Sequence, residues 1–486
     1  MPALRTALLT LSAASLAVAS SAEDLKSCLK YALTDSGQVA FAGDLLYQAN
    51  DVKAYNLNIP ITPAAVTFPT SSQQVAAVVK CAAENGYPVQ PKSGGHSYGN
   101  YGLGGVDGAV VVDLKNLQQF SMDSTKWEAT IGSGSLLGDV TQRLHDAGGR
   151  AMSHGTCPQV GSGGHFTIGG LGPTSRQFGA ALDHILEVEV VLANSSIVRA
   201  SDTENQDIFW ALKGAGSGFG IITEFKVRTE PEPGTAVKYE YTFKIGSTEE
   251  RANLFKQWQA YITQPDLTWK LASTLTLLED TLIITGTFFG TEEEYKALEI
   301  GSQFPGTNSS AVVFQDWLGL VGNWAEEATL QLGGGVPANF YSKSSAWTPK
   351  TLMSNETIDK MFELVDSADK GTLVWFLLFD FQGGYTSSIP SSATAYAHRD
   401  VIIWLQSYTI NLLGSVSQTQ VDFLEQVNKL ITPTDAPYAA YPGYVDPRME
   451  DGAKAYWGSN LPRLEQIKSE VDPDNVFRNP QSPKAA

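Results

Sequence analysis

Cysteine is nearly missing from this chain of 486 residues: three occur, Cys28, Cys81 and Cys157. So few thiols exclude the small disulfide-stapled scaffolds, and the fold must rest on buried apolar surface. An odd count leaves one thiol over once a bridge forms. Cys28 and Cys81 fall in helical patterns near the start and are expected to pair, leaving Cys157, set among glycines, free or covalently modified. Basic residues are scarce too. Lys and Arg total 33 against 51 Asp and Glu, a formal charge of -18, so the surface repels polyanions and nucleic acid is not an expected partner. After the opening segment no stretch has the length and charge-free character of a membrane helix, so no membrane association is expected. The apolar run Thr372 to Phe381 reads instead as a buried strand. A G-x-G-x-x-G turn between a first strand and helix is also lacking, which argues against a nicotinamide cofactor.

What is present begins with a secretory layout over residues 1–20: Arg5 near the start, an apolar run from Ala7 to Val18, then small residues at Ala17, Ala19 and Ser20. A secreted, extracellular chain starting near Ser21 is expected. Its sequons at Asn194, Asn308 and Asn355 can then carry glycan where exposed. A hydrophobic fraction of 43% over this length supports two cores. Pro231-Glu232-Pro233-Gly234 marks the boundary, dividing the chain into 21–230, 231–435 and a tail, 436–486.

In the first part, Val75, Val78, Val79 and Ala82 recur at helical spacing over Gln73 to Asn85, capped by Ser71 or Ser72. Tyr87 to Gln90, Gly108 to Leu114, Trp127 to Gly132, His184 to Leu192 and Gly220 to Arg228 read as strands, and Ser135 to Gly148 as a helix. The second part reads as an antiparallel sheet (Lys238 to Lys244, Leu271 to Leu278, Leu282 to Phe289, Leu373 to Asp380) with helices at Glu293 to Phe304, Ile358 to Ala368 and Ser417 to Leu430. Tyr456 to Arg478 is mostly helical and returns to the first part. The fold class is α+β.

Two segments carry the chemistry. Pro91-Lys92-Ser93-Gly94-Gly95-His96-Ser97-Tyr98 sets a histidine among glycines, and His154 to His165 sets Cys157 the same way. Glycines permit positive φ and expose N–H groups, so those from Ser93 to Gly105 can form an anion nest, and those from Gly155 to Gly172 a second. From composition alone His96 is a ligand, a base, an attachment point or a structural turn residue. His96, His154, His165 and Cys157 are suitable metal donors, but their spacing matches no compact zinc signature, and no metal is expected. Trp317, Trp324, Trp347, Trp375 and Trp404 are candidate sugar platforms, most of them expected in the core.

Val89 to Gly99, Gly132-Ser133-Gly134-Ser135-Leu136-Leu137-Gly138, Gly155 to Gly172, and the tail motifs Tyr456-Trp457-Gly458-Ser459-Asn460 and Asp472-Pro473-Asp474-Asn475-Val476-Phe477 together resemble the berberine bridge enzyme-like branch of the vanillyl-alcohol oxidase flavoproteins. Within it the chain is similar to fungal carbohydrate oxidases. The resemblance implies a two-part FAD-binding domain of the PCMH type and a substrate domain with an antiparallel sheet flanked by helices. It implies FAD attached twice, through His96 to the 8α carbon and through Cys157 to C6. Ser93, Gly94, Gly95, Ser97, Gly161 and Gly164 would line the pyrophosphate and ring, with backbone donors near Ile222. It puts the catalytic base at Tyr444, in Ala440-Tyr441-Pro442-Gly443-Tyr444-Val445-Asp446, beside Asp380, whose carboxylate would accept the phenolic hydrogen bond. Tyr98 and Gln406 would contact substrate. The implied activity is oxidation of the anomeric C1 hydroxyl of a reducing oligosaccharide to a 1,5-lactone, with O2 reduced to H2O2 by a monomer. The alternatives are a related oxidase or dehydrogenase acting on a non-carbohydrate alcohol, and an inactive secreted sugar-binding protein.

Overall fold

The computed structural model describes residues 22–486 except 245, 305–307, 333–334 and 435, so the signal-like segment lies outside the described residues. The first sheet runs Val39–Phe41, Ala65–Thr67, Val110–Asp113, Val89–Lys92, the last three strands parallel. Every residue of Val110–Asp113 is buried, as a parallel strand covered on both faces requires. Helix Ser72–Glu84 covers one face: the Ser71 hydroxyl accepts the Gln74 N–H, and Val75, Val78, Val79 and Ala82 turn inward against Val89, Val110 and Val112. Cys81 on this helix is bonded to Cys28 on the helix over 22–32.

A second, antiparallel sheet follows, ordered Phe120–Asp123, Glu128–Gly132, Ile221–Arg228, Ile185–Val191, Ile197–Ser201. Its core joins Ile131, Val188 and Phe225 to Leu137, Val140 and Leu144 of helix Leu137–Asp146.

The largest sheet has seven antiparallel strands, ordered Asn308–Phe314, Ala236–Lys244, Thr281–Phe288, Leu271–Leu277, Val374–Phe381, Ile403–Asn411, Asn339–Trp347. Alternation along Val374–Phe381 decides which side faces what. Trp375, Leu377, Phe379 and Phe381 pack against Phe255, Phe362 and Phe423 of helices Thr248–Ile262, Asn355–Ser367 and Gln418–Ile431. Phe376 and Leu378 take the opposite face with Phe340, Tyr408 and Tyr98, and the two-residue period puts Asp380 on that face as well. The architecture is the α+β arrangement expected, a part built on the first two sheets and a part in which helices cover one face of the third.

Two expected helices are each divided in two. Glu293 to Phe304 divides into Glu292–Ala297 and Ile300–Gln303 because Glu299 adopts φ 50°, outside helical space. The tail gives Gly452–Trp457 and Leu461–Val471, then stops at Asp472. There the Asp472 carboxylate accepts the N–H groups of Val476 and Phe477 and the Lys468 ammonium. The tail then runs beside the first sheet, where the Val89 N–H donates to the Val476 carbonyl. Asn194, Asn308 and Asn355 are exposed. Among the described residues no helix is long and apolar enough to cross a membrane.

Candidate active site

The two glycine segments meet. Gly94 and Gly161 lie backbone to backbone, and a Cβ on either would overlap main-chain atoms of the other. The Ser93 hydroxyl ties the crossing together, donating to the Ser133 carbonyl at 2.7 Å and accepting from the Gly163 N–H at 3.3 Å. Between Ser93 and Gly105, positive φ occurs at Gly95 (76°), Gly104 (106°) and Gly105 (72°), and also at Asn100 (52°). Gly94 and Gly161 are required for closeness, not for handedness.

Beside this crossing lies a cleft of about 360 Å³. Ser93, Gly94, Gly95, His96, Ser97, Tyr98, Cys157, Gly161, Gly164, Ile222, Gln406 and Tyr444 all line it. Of the sequence candidates for catalysis, cofactor and substrate, Asp380 alone is not a lining residue. No carboxylate lines the cleft among the described residues, in a chain with a net charge of -18. That makes it a suitable seat for a pyrophosphate.

His96 is half-buried, its ring stacked on Tyr55 at 4.5 Å between centroids. Burial lowers its pKa to about 4, so at neutral pH the imidazole is uncharged and keeps a nucleophilic lone pair. Burial pushes the Cys157 thiol up, opposed by a hydrogen bond from Thr156. The other histidines of this region are engaged in structure. His154 bonds the Gly155 carbonyl at 2.7 Å and the Thr141 hydroxyl at 2.9 Å, and the His165 Nε2 accepts the Gly155 N–H at 2.9 Å. Burial holds both below the usual imidazole range, and they fix the loop carrying Cys157.

On the far wall Tyr98 stacks on Tyr444, 5.8 Å between centroids and 15° from parallel. The Tyr98 hydroxyl accepts from the Gln406 side-chain amide at 2.6 Å, so that half of Gln406 is committed within the protein. Tyr441 anchors the Tyr444 segment: its hydroxyl accepts the N–H groups of Gly170 at 2.9 Å and Leu171 at 3.3 Å. Burial raises the Tyr444 phenol well above its ordinary pKa, and the charges of Tyr98 and Asp380 add to the rise.

The Asp380 carboxylate does not accept the Tyr444 phenol, contrary to expectation. Its oxygens are taken by the Thr274 hydroxyl at 3.1 Å, opposite it on the adjacent strand, and by the Gln382 amide at 2.7 Å, just past the end of its own strand. Part of the side chain keeps some accessible surface, yet protein atoms crowd it closely enough that desolvation raises its pKa to about 6 despite both bonds.

Sequence reasoning missed Tyr55, which arrives from a distant loop with no local signature, and the stretch Gly214 to Gly218, which also lines the cleft. The latter was visible as the glycine run Gly214-Ala215-Gly216-Ser217-Gly218. Trp317, Trp324, Trp347, Trp375 and Trp404 are all buried, so none is a sugar platform.

Models of known families match two segments: an FAD binding domain over residues 63–201, and a "berberine and berberine like" segment over residues 440–483. FAD-linked oxidoreductase sorD of Penicillium rubens is 40% identical over 92% of this chain and 95% of its own length. Glucooligosaccharide oxidase of Sarocladium strictum is 34% identical over 88% of this chain and 89% of its own. A solved structure of glucooligosaccharide oxidase from Acremonium strictum, described for the functional roles of its 6-S-cysteinyl, 8α-N1-histidyl FAD, superposes with a TM-score of 0.86 at 31% identity, covering 95% of this chain and 99% of that one. With an FAD-binding segment that lines the cleft and relatives spanning nearly its whole length, the chain belongs to the berberine bridge enzyme-like FAD-linked oxidoreductases of the vanillyl-alcohol oxidase superfamily.

Proposed function

We propose that this enzyme is a carbohydrate oxidase that holds FAD by two bonds, His96 to the 8α carbon and Cys157 to C6, and oxidises the anomeric C1 hydroxyl of reducing oligosaccharides. The observation that carries the reading is that His96, Cys157 and Tyr444 line one cleft. The paired histidyl and cysteinyl attachment described for the Acremonium enzyme supports it, as do relatives named gluco-, xylo- and chitooligosaccharide oxidases.

Bound FAD supplies a hydride acceptor and a route for electrons to O2, giving H2O2. The chain does the rest. Ser93, Gly94, Gly95, Ser97, Gly161 and Gly164, with the backbone near Ile222, cradle the cofactor. Tyr444 accepts the C1 hydroxyl proton. Because burial keeps its phenol protonated at neutral pH, it accepts that proton only while passing its own toward Asp380, the stronger base of the pair. The relay requires an Asp380 oxygen to turn from Thr274 or Gln382, or to reach the phenol through a water. The oxidised sugar leaves as a 1,5-lactone. Tyr98 and the free carbonyl of Gln406 contact the sugar. The same reading takes 21–230 as the FAD-binding part, 231–435 as the substrate-binding part and 436–486 as the returning segment of a secreted monomer, glycosylated at Asn194, Asn308 and Asn355.

One observation favours a second reading, a non-carbohydrate alcohol as donor. The sheet wall of the cleft presents Phe340, Phe376, Tyr408 and Ile410, and a sugar hydroxyl buried there without a partner costs about 1–3 kcal/mol. The 40% identical relative is also named for no sugar. A peroxide assay across gluco-, xylo- and chito-oligosaccharides and a set of aryl alcohols separates the two. Sugar turnover yielding lactone supports the carbohydrate reading; turnover of aryl alcohols alone overturns it.

A further inference from the structure

Behind the Tyr444 segment sits a cluster of charges that the chemistry above does not use. Lys343, on strand Asn339–Trp347, places its ammonium 2.9 Å from Asp446 and 3.0 Å from Glu425, on helix Gln418–Ile431. The Tyr341 hydroxyl donates to Glu425 at 2.7 Å and lies 3.2 Å from Asp446. The Asp446 side chain is only 1% exposed and that of Lys343 12%, so both charges have given up most of their water. Burial alone would push Lys343 down; the charge of Asp446 and the bonds to it hold the ammonium above the usual lysine range.

Asp446 lies two residues after Tyr444, and its main chain is held as firmly as its carboxylate. Its N–H donates to the Tyr456 hydroxyl at 2.9 Å, and its carbonyl accepts the Gln481 amide at 2.8 Å. The other carboxylate oxygen accepts the Arg448 N–H at 2.9 Å. Sheet, helix and tail therefore converge on one residue of the segment that carries the phenol. A buried ion pair is a poor source of net stability but a good device for fixing one arrangement among several.

We propose that Lys343 and Asp446, steadied by Glu425, are positioning residues for Tyr444: they fix the backbone from which the phenol reaches the donor hydroxyl. The inference rests on Tyr444 as base. Held at one end by Tyr441 on the Gly170 loop and at the other by Lys343, the segment has little freedom to shift between them. A shift near 1 Å at a reacting group can cost about 10²-fold in rate.

The test uses holoenzyme, normalised to bound flavin, with anaerobic flavin reduction followed by stopped flow. Lys343→Met is expected to slow the reductive step by about 10²-fold with KM little changed, and Lys343→Arg to recover most of the loss. Asp446→Asn, which keeps size and the bond from Arg448, is expected to repeat the defect and serves if Lys343→Met does not fold. A lower melting temperature with an unchanged reductive rate per bound flavin in these variants overturns the proposal. Near-normal reduction in Tyr444→Phe overturns instead the base assignment on which it rests.

Discussion

At the scale of single residues, the two proposed attachment points differ in readiness. The His96 imidazole is already neutral, whereas the Cys157 thiol is held protonated by burial, and it is the thiolate that forms bonds. Each single variant, His96→Ala or Cys157→Ala, should retain one covalent bond, seen as flavin fluorescence on a denaturing gel. The double variant should release all its FAD into acid supernatant. Asp380 gives a pH prediction with a definite sign. Its folded pKa, near 6, lies above the ordinary aspartate value of 3.8, so the carboxylate that the proposed relay needs is lost as pH falls through about 6, and kcat/KM should drop there. Stability moves the other way. Keeping this carboxylate ionised costs the folded state most above pH 6, and the cost is relieved as pH falls toward 4. Asp380→Asn should therefore stabilise the fold at pH 8, by on the order of 3 kcal/mol at most, seen as a higher melting temperature, and the advantage should vanish near pH 4.

At the scale of elements, the crossing of the two glycine loops is the feature least tolerant of added atoms. A Cβ on Gly161 would meet both the Gly94 backbone and the Ser93 side chain. Gly161→Ala should cost about 1–3 kcal/mol and lower flavin incorporation, read from the ratio of flavin to protein absorbance. Much of this level was legible beforehand. Ser72–Glu84 was visible because its cap and its inward valines are local signals, and Val374–Phe381 because seven apolar residues in eight fit a strand. Strand Asn339–Trp347 was not, since Lys343, Ser344 and Ser345 interrupt its apolar pattern. Their partners lie far along the chain: the Ser345 hydroxyl bonds Asn428, and the Ser344 hydroxyl accepts the Tyr441 N–H. The glycine loops were legible as loops, yet their mutual contact was not, because nothing local records that residues 94 and 161 touch. Asp380 shows the same limit in a carboxylate: the face it takes follows from strand alternation, but its bonds to Thr274 and Gln382 depend on register with another strand and a turn.

At the scale of the whole molecule, the tail closes the structure around the site. The Gln481 side chain accepts from the Tyr101 hydroxyl at 2.5 Å and the Tyr456 hydroxyl at 3.1 Å, and donates to the carbonyls of Asp446 and Met449, both at 2.8 Å. One amide thus joins residues on either side of the chain's middle third to the segment bearing Tyr444. Gln481→Leu keeps a similar volume and strands up to four buried polar groups, each costing about 1–3 kcal/mol if left unpaired. The expected result is a lower melting temperature together with faster amide exchange in residues 440–449. Exchange there should quicken more than in Val374–Phe381, which the substitution does not touch. If the tail were merely a local fastening, exchange would quicken around residues 479–483 alone and the Tyr444 segment would stay protected. That outcome would separate closure of the chain from the order of its active site.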